Sequence, residues 1–129
     1  MPTELLFDTS AVIDIYKGRD RVRPYFTSMV NGTLRPYLSV ITEAEMWRGL
    51  REGELDQHNL LISQFNILPL TSEAARLAGD WMREYKSEGL GWMDALISAI
   101  ALTNRLGVLT RDKKLIAVLD QHVKFTLYG

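Results

Sequence analysis

Four acidic residues stand where short apolar runs give way to helix-forming sequence. Asp8 follows Leu5-Leu6-Phe7, Glu45 comes shortly after Tyr37-Leu38-Ser39-Val40-Ile41, Asp94 heads an apolar segment at 93–105, and Asp112 lies two residues past Val108-Leu109-Thr110. If those runs are strands of one parallel sheet, the four carboxylates meet at the carboxyl ends of the strands, where open α/β folds hold ligands. Carboxylates crowded there repel and raise one another's pKa values unless a positive group neutralises them. The set is all oxygen: the chain has no cysteine, and its two histidines, His58 and His122, fall elsewhere. Hard divalent cations such as Mg²⁺ or Mn²⁺ prefer such donors.

Each acid also has an ordinary structural role open to it. Asp8 and Asp112 are placed to cap the helices that follow them. Thr42-Glu43-Ala44-Glu45 reads as a capping box, T-x-x-E, which by itself accounts for a glutamate in a first helical turn. Asp94 suits the positive end of a helix dipole. Embedded in Trp92-Met93-Asp94-Ala95-Leu96-Ile97, however, it would be costly to bury without a partner. The shared placement of the four acids outweighs the separate explanations. Glu43 competes with Glu45, but two residues put them about 200° apart on a helix, and Gly49 lies on the Glu45 face. Ser10 and Thr110 are candidates to hold the carboxylates by their hydroxyls.

Other chemistries fit poorly. The phosphatase pattern D-x-D fails at Ser10, the adhesion-site pattern D-x-S-x-S fails at Val12, and no glycine-rich phosphate loop is present. Two scattered histidines do not support metal-free acid–base cleavage of RNA.

The elements that must position these acids follow from hydrophobic period and Gly/Pro punctuation. Strands are expected at 5–7, 37–41, 66–70, 108–110 and 123–127, with Pro69 marking the third as an edge. Helices are expected from Thr9-Ser10 to Gly18, over 21–31 with Pro24 in the first turn, from about Glu43 with a bend at Gly49, and over 56–65. Further helices are expected over 72–87, 93–105 and 113–119. Ala74, Leu77, Ala78, Trp81, Met82 and Tyr85 form one apolar stripe. The segment at 93–105 is apolar nearly all round, which predicts a buried central helix closed by Gly107. Strands alternating with helices predict an α/β fold: a three-layer α/β/α sandwich around a mainly parallel sheet.

The 129 residues, 47% hydrophobic and 24% charged, predict one domain over 1–129 with its own core. The start Met1-Pro2-Thr3-Glu4 does not read as a signal peptide, and no apolar run is long enough to span a bilayer, so a cytoplasmic protein without membrane attachment is expected. The net charge of −1 is not that of a generic nucleic-acid binder. It conceals basic groups at 17–23 and at Arg111, Lys113 and Lys114, so a pocketed set of acids leaves the remaining surface net positive. A nucleic-acid substrate is therefore not excluded by bulk charge, and the 17–23 stretch is a candidate for a nucleic-acid backbone or, as charge runs usually are, a solvated helix junction. Of the tryptophans, Trp81 belongs to the core, Trp92 is open to base stacking, and Trp47 with Leu50 suits a protein contact.

Four segments together resemble one family. Leu6-Phe7-Asp8-Thr9-Ser10, Thr42-x-x-Glu45-Met46-x-x-Gly49, Asp94-Ala95-Leu96-Ile97-Ser98-Ala99-x-Ala101 and Leu109-Thr110-Arg111-Asp112 are similar, in order and over nearly the whole chain, to the PIN-domain ribonucleases, most of all the VapC-type toxins of toxin–antitoxin modules. The resemblance implies a three-layer α/β/α fold, metal-dependent endoribonuclease activity on RNA leaving a 5′-phosphate and a 3′-hydroxyl, a homodimer, and a cognate antitoxin inserting a peptide into the active-site groove. It places Asp8, Glu45, Asp94 and Asp112 in the acidic quartet, as catalytic residues and as ligands of Mg²⁺ or Mn²⁺, with Glu45 either a ligand or the base that orients water. Trp92-Met93 is bulkier than the family pattern at that point. An RNA-processing nuclease outside a toxin module, or a non-catalytic metal- or nucleotide-binding module, is the alternative on the same scaffold.

Overall fold

A computed structural model describes residues 2–129. The chain runs β1 (Thr3–Phe7), α1 (Thr9–Tyr16), a 3₁₀ turn (Asp20–Val22), α2 (Arg23–Val30), β2 (Leu34–Ser39), α3 (Val40–Arg48), α4 (Leu55–Ile62) and β3 (Asn66–Leu68). It continues with α5 (Ser72–Tyr85), a second 3₁₀ turn (Lys86–Glu88), α6 (Trp92–Thr103), β4 (Gly107–Thr110), α7 (Lys113–Leu119) and β5 (Phe125–Leu127). The five strands form one sheet in the order β3-β2-β1-β4-β5, and every pairing is parallel. The chain builds outward from β1 through β2 to β3, then returns to pair β4 on the other side of β1. The strand order therefore reverses between β1 and β4, and a crevice opens there at the carboxyl ends.

Alternation along the strands sorts the core into two layers. Leu6 and Val108, paired across β1 and β4, pack with Ala78 and Trp81 of α5, Ala95, Ala99 and Ile100 of α6, and Leu115 of α7. Leu5, Phe7, Leu38 and Leu109 point the other way, onto Ala11 and Val12 of α1, Val22, Ile62 and Phe65. A run buried on both faces is what a central parallel strand requires. The α5 stripe is buried as its period predicts, and Thr71 caps the helix by accepting from the Ala74 N–H at 3.2 Å.

Three expectations are corrected. The second strand is Leu34–Ser39 rather than 37–41: β3 pairing begins only at Tyr37, so Pro36 stands where one side of the strand carries no ladder. Helix α3 thus starts at Val40, its cap is Ser39 accepting from the Thr42 N–H at 3.1 Å, and Glu45 lies in its second turn. The capping-box explanation of Glu45 therefore fails. Nor does Gly107 close α6. It is the first residue of β4, where an added Cβ would stand 3.2 Å from the Lys124 carbonyl.

Helix α6 ends instead in a Schellman turn. The Leu106 N–H donates to Ala101 O at 2.9 Å, the Arg105 N–H donates to Leu102 O at 3.0 Å, and Arg105 takes the left-handed φ of 57°. After α5 the same turn is made by Gly89, at φ 94°. A side chain at the left-handed position costs on the order of 1 kcal/mol that glycine does not. Arg105→Gly should therefore raise the midpoint of thermal unfolding, by on the order of 0.5–1 kcal/mol, and calorimetry showing a lowered midpoint would contradict this account.

Candidate active site

Asp8 leaves β1 at the reversal point. Its N–H donates to Leu109 O of β4 at 3.0 Å, which locks the end of β1 beside Thr110. The buried Thr110 hydroxyl donates to Asp8 Oδ2 at 2.7 Å, and the Thr9 N–H donates to Oδ1 at 2.8 Å. The Ser10 hydroxyl stands farther off, at 3.5 Å. The same Thr110 oxygen accepts from the Asp112 N–H at 3.1 Å, so one side chain ties two acids from opposite ends of the sequence. Asp112 in turn caps α7, its Oδ1 accepting from the Lys114 and Leu115 N–H groups. Its capping role is real, and it leaves the other carboxylate oxygen free of backbone bonds.

Glu45 is held by a chain of hydroxyls. Thr9 Oγ1 donates to Glu45 Oε1 at 2.7 Å and lies 2.9 Å from Thr42 Oγ1, while the Ser39 hydroxyl reaches Thr42 Oγ1 at 3.4 Å. Each hydroxyl has one proton, so the direction is fixed: Ser39 donates to Thr42, Thr42 to Thr9, and Thr9 to the carboxylate. Thr9 thus fixes Asp8 through its backbone and Glu45 through its side chain. Glu43 lies away from this frame, in a depression with Val40, Trp47 and Arg48.

Asp94 completes the set differently. Gly91 is the N-cap of α6, without a side-chain cap bond, so Asp94 does not cap its own helix. Its carboxylate has no hydrogen bond or ion pair among the described residues, and it shares a small recess with Asp112. Burial first, then the negative charges of Asp8, Asp112 and Glu45, push its carboxyl up to about 6. Asp8 is pushed up as well, by burial and by Asp112 and Glu45, against the opposing bonds from Thr110 and Thr9. The four carboxylates feel one another.

None of the ion pairs among the described residues involves these four acids. Their charge is uncompensated by protein, and the donors are oxygens only, a combination that suits a hard divalent cation. Among the described residues no three acidic or histidine side chains are gathered tightly enough to enclose a cation unaided.

The sequence matches the PIN domain family model over residues 5–120. The chain belongs to the PIN-domain family. Among curated proteins this PIN domain is 33% identical over 111 residues to Ribonuclease VapC10 of Mycobacterium tuberculosis, a match covering 82% of this chain and 80% of that one. Among solved structures it is similar to a toxin–antitoxin complex from Klebsiella pneumoniae, at 29% identity and a TM-score of 0.72, over 88% of this chain and 90% of that one. The fold is shared with VapBC2 from Rickettsia felis, at a TM-score of 0.81 and 17% identity, over 98% and 100% of the two chains.

Several residues of the PIN site escape a reading of charges. Thr9, Thr42 and Ser39 orient Glu45, yet in sequence they look like ordinary helix-start residues. Asp14, 2% exposed, accepts from the Tyr128 hydroxyl at 2.7 Å and pairs with Arg111 at 3.4 Å. The signal available for it was a single acid inside Ala11-Val12-Ile13-Asp14-Ile15. The tryptophans divide as expected, with Trp81 buried and Trp92 53% exposed.

A carboxyl raised on folding binds a proton that the unfolded chain has already released. Asp94 therefore lowers stability as pH rises from its unfolded value near 3.8 to about 6, and the penalty stays constant above that. Asp94→Asn should be more stable than the wild type at pH 7 without added metal, by on the order of 1–3 kcal/mol, and the gap should shrink at pH 4.5. Thermal unfolding of both proteins checks this. A gap that is constant or larger at low pH would show that the carboxylates are not crowded.

Proposed function

We propose that this PIN domain is a metal-dependent endoribonuclease that hydrolyses RNA phosphodiester bonds, and that it is the toxin component of a type II toxin–antitoxin module. The observation that carries the reading is the carboxylate set at the β1–β4 crevice, three of its acids tied by Thr9 and Thr110, with Asp8 shared between the two threonines. The identity to Ribonuclease VapC10 and the likeness to the Klebsiella toxin–antitoxin complex support it.

Asp8, Asp94, Asp112 and Glu45 would hold Mg²⁺ or Mn²⁺, one or two of them directly and the others through water. When bound, the metal lowers the pKa of water and neutralises phosphate charge, which favours in-line displacement at phosphorus. The chain's own part is orientation. Thr110 and the Thr9 N–H keep the Asp8 carboxylate turned to the crevice. The Ser39–Thr42–Thr9 series fixes one oxygen of Glu45 and leaves the other to orient the attacking water. Asp94, with no protein partner, brings a carboxylate free to meet the cation.

Cleavage of single-stranded RNA should require Mg²⁺ or Mn²⁺ and stop with EDTA. Asp8→Asn and Asp94→Asn should abolish it with the fold retained, and Thr110→Val should lower it roughly 10–100-fold by freeing Asp8. An active Asp94→Asn protein, or cleavage in EDTA, would sink the reading. Growth arrest on expression, relieved by co-expressing a small protein encoded alongside, separates a toxin from an RNA-processing nuclease.

We also propose a cytoplasmic homodimer that binds a cognate antitoxin. Trp47, Leu60, Trp92 and Met93 are exposed apolar side chains that a protein contact would cover. No helix among the described residues is long and apolar enough to cross a membrane. Sedimentation equilibrium at tens of micromolar should give twice the chain mass, and a monomer at that concentration would refute the dimer.

A further inference from the structure

One buried carboxylate stands apart from the four acids of the crevice. Asp14 lies on α1 with its side chain 3% exposed; its Oδ2 accepts from the Tyr128 hydroxyl at 2.7 Å and forms an ion pair with the Arg111 Nε at 3.4 Å. A guanidinium paired through Nε keeps both terminal nitrogens for other partners, and no further bond to Arg111 is found among the described residues. Arg111 is held at its inner edge while its side chain remains 46% exposed. It lines a cleft of about 510 Å³ shared with Ser10, Arg21, Asp112, Lys113 and Tyr128. Ser10 and Asp112 belong to the acid frame, so this cleft opens directly from the crevice. Three cations, Arg21, Arg111 and Lys113, line it against the one acid that the proposed reaction uses.

Resting on the ribonuclease reading, we infer that Arg111, oriented by Asp14, is the binding residue for an RNA phosphate adjoining the scissile one, with Arg21 and Lys113 extending the same track. Crowded carboxylates repel an RNA strand, and a fixed cation beside them offsets that repulsion where the backbone must lie. A planar fork held by a buried carboxylate meets phosphate oxygens with less loss of rotamer freedom than a free side chain. Arg111 thereby touches substrate, and Asp14 is a positioning residue. Lys17, the other end of the basic stretch, lines a separate cavity with Glu45 and Arg51, so the two ends of the 17–23 stretch lie in different clefts.

The test is binding of a fluorescent single-stranded RNA to the Asp94→Asn protein in EDTA, by anisotropy across a salt series. Adding Arg111→Ala should weaken binding roughly tenfold at low salt and reduce the slope of log K against log salt by about 0.7, one phosphate contact on a single strand. Arg111→Lys should restore the slope and only part of the affinity, because a point charge replaces the fork. Asp14→Asn, which still accepts from Tyr128, should keep the slope and weaken binding a few-fold. In otherwise wild-type protein with Mg²⁺, Arg111→Ala should raise KM more than it lowers kcat. A slope and affinity unchanged in Arg111→Ala, with the midpoint of unfolding alone altered, would make the Asp14–Arg111 pair purely structural and overturn the inference. Wild-type protein that neither binds nor cleaves RNA would overturn the ribonuclease reading itself.

Discussion

Like charges at one sheet edge repel, and the fold of this PIN domain is arranged around holding them there. Asp8, Glu45, Asp94 and Asp112 come from four separate stretches of chain, and among the described residues no cation pairs with them. The orientation of Asp8, Glu45 and Asp112 rests on neutral hydroxyl and amide donors, which fix a carboxylate without cancelling its charge, while Asp94 is placed by its helix alone. Thr110 binds Asp8 and Asp112 together, and Thr9 does the same for Asp8 and Glu45. A lysine or arginine in either position would cancel charge and could not accept the bonds that the Thr9 and Thr110 hydroxyls accept, from Thr42 and from the Asp112 N–H.

The apolar layers serve this arrangement. Because β1 is buried on both faces, its end cannot shift without disturbing both cores, so Asp8 inherits the rigidity of Leu6 and Phe7. Asp94 is placed by α6, whose small residues Ala95, Ala99 and Ala101 let the helix lie close against the sheet and against α5. Its elevated carboxyl follows from that placement: the helix carries the acid to the edge of the core, where water is scarce and three other acids stand near.

The acids were legible in sequence because a carboxylate at the end of an apolar run is conspicuous, and strand-end location needs only an approximate element boundary. The hydroxyls were not. Thr9 and Thr42 lie 33 residues apart, and their alliance depends on α1 and α3 starting side by side, which no local pattern encodes. The offset in β2 had the same origin: a proline inside a strand is informative only once its neighbours are known, and β3 reaches no farther than Tyr37. Glycine misled at the end of α6, since Arg105 adopts the turn and Gly107 answers to the close approach of Lys124 instead. The α5 stripe, by contrast, was readable in full, because helical period and burial report the same face.

The bond between Thr110 and Asp8 spans 102 positions of sequence. On the ribosome, β1 emerges early and has only β2 to pair with until β4 is made, so its other edge waits bare. At about 5–20 residues per second that wait lasts several seconds. During it Asp8 has neither its principal hydroxyl donor nor Asp112 beside it, and a nascent or truncated chain is a sheet fragment with scattered acids. The acid set is thus complete only when the chain is nearly finished, a consequence of connectivity rather than of any one residue.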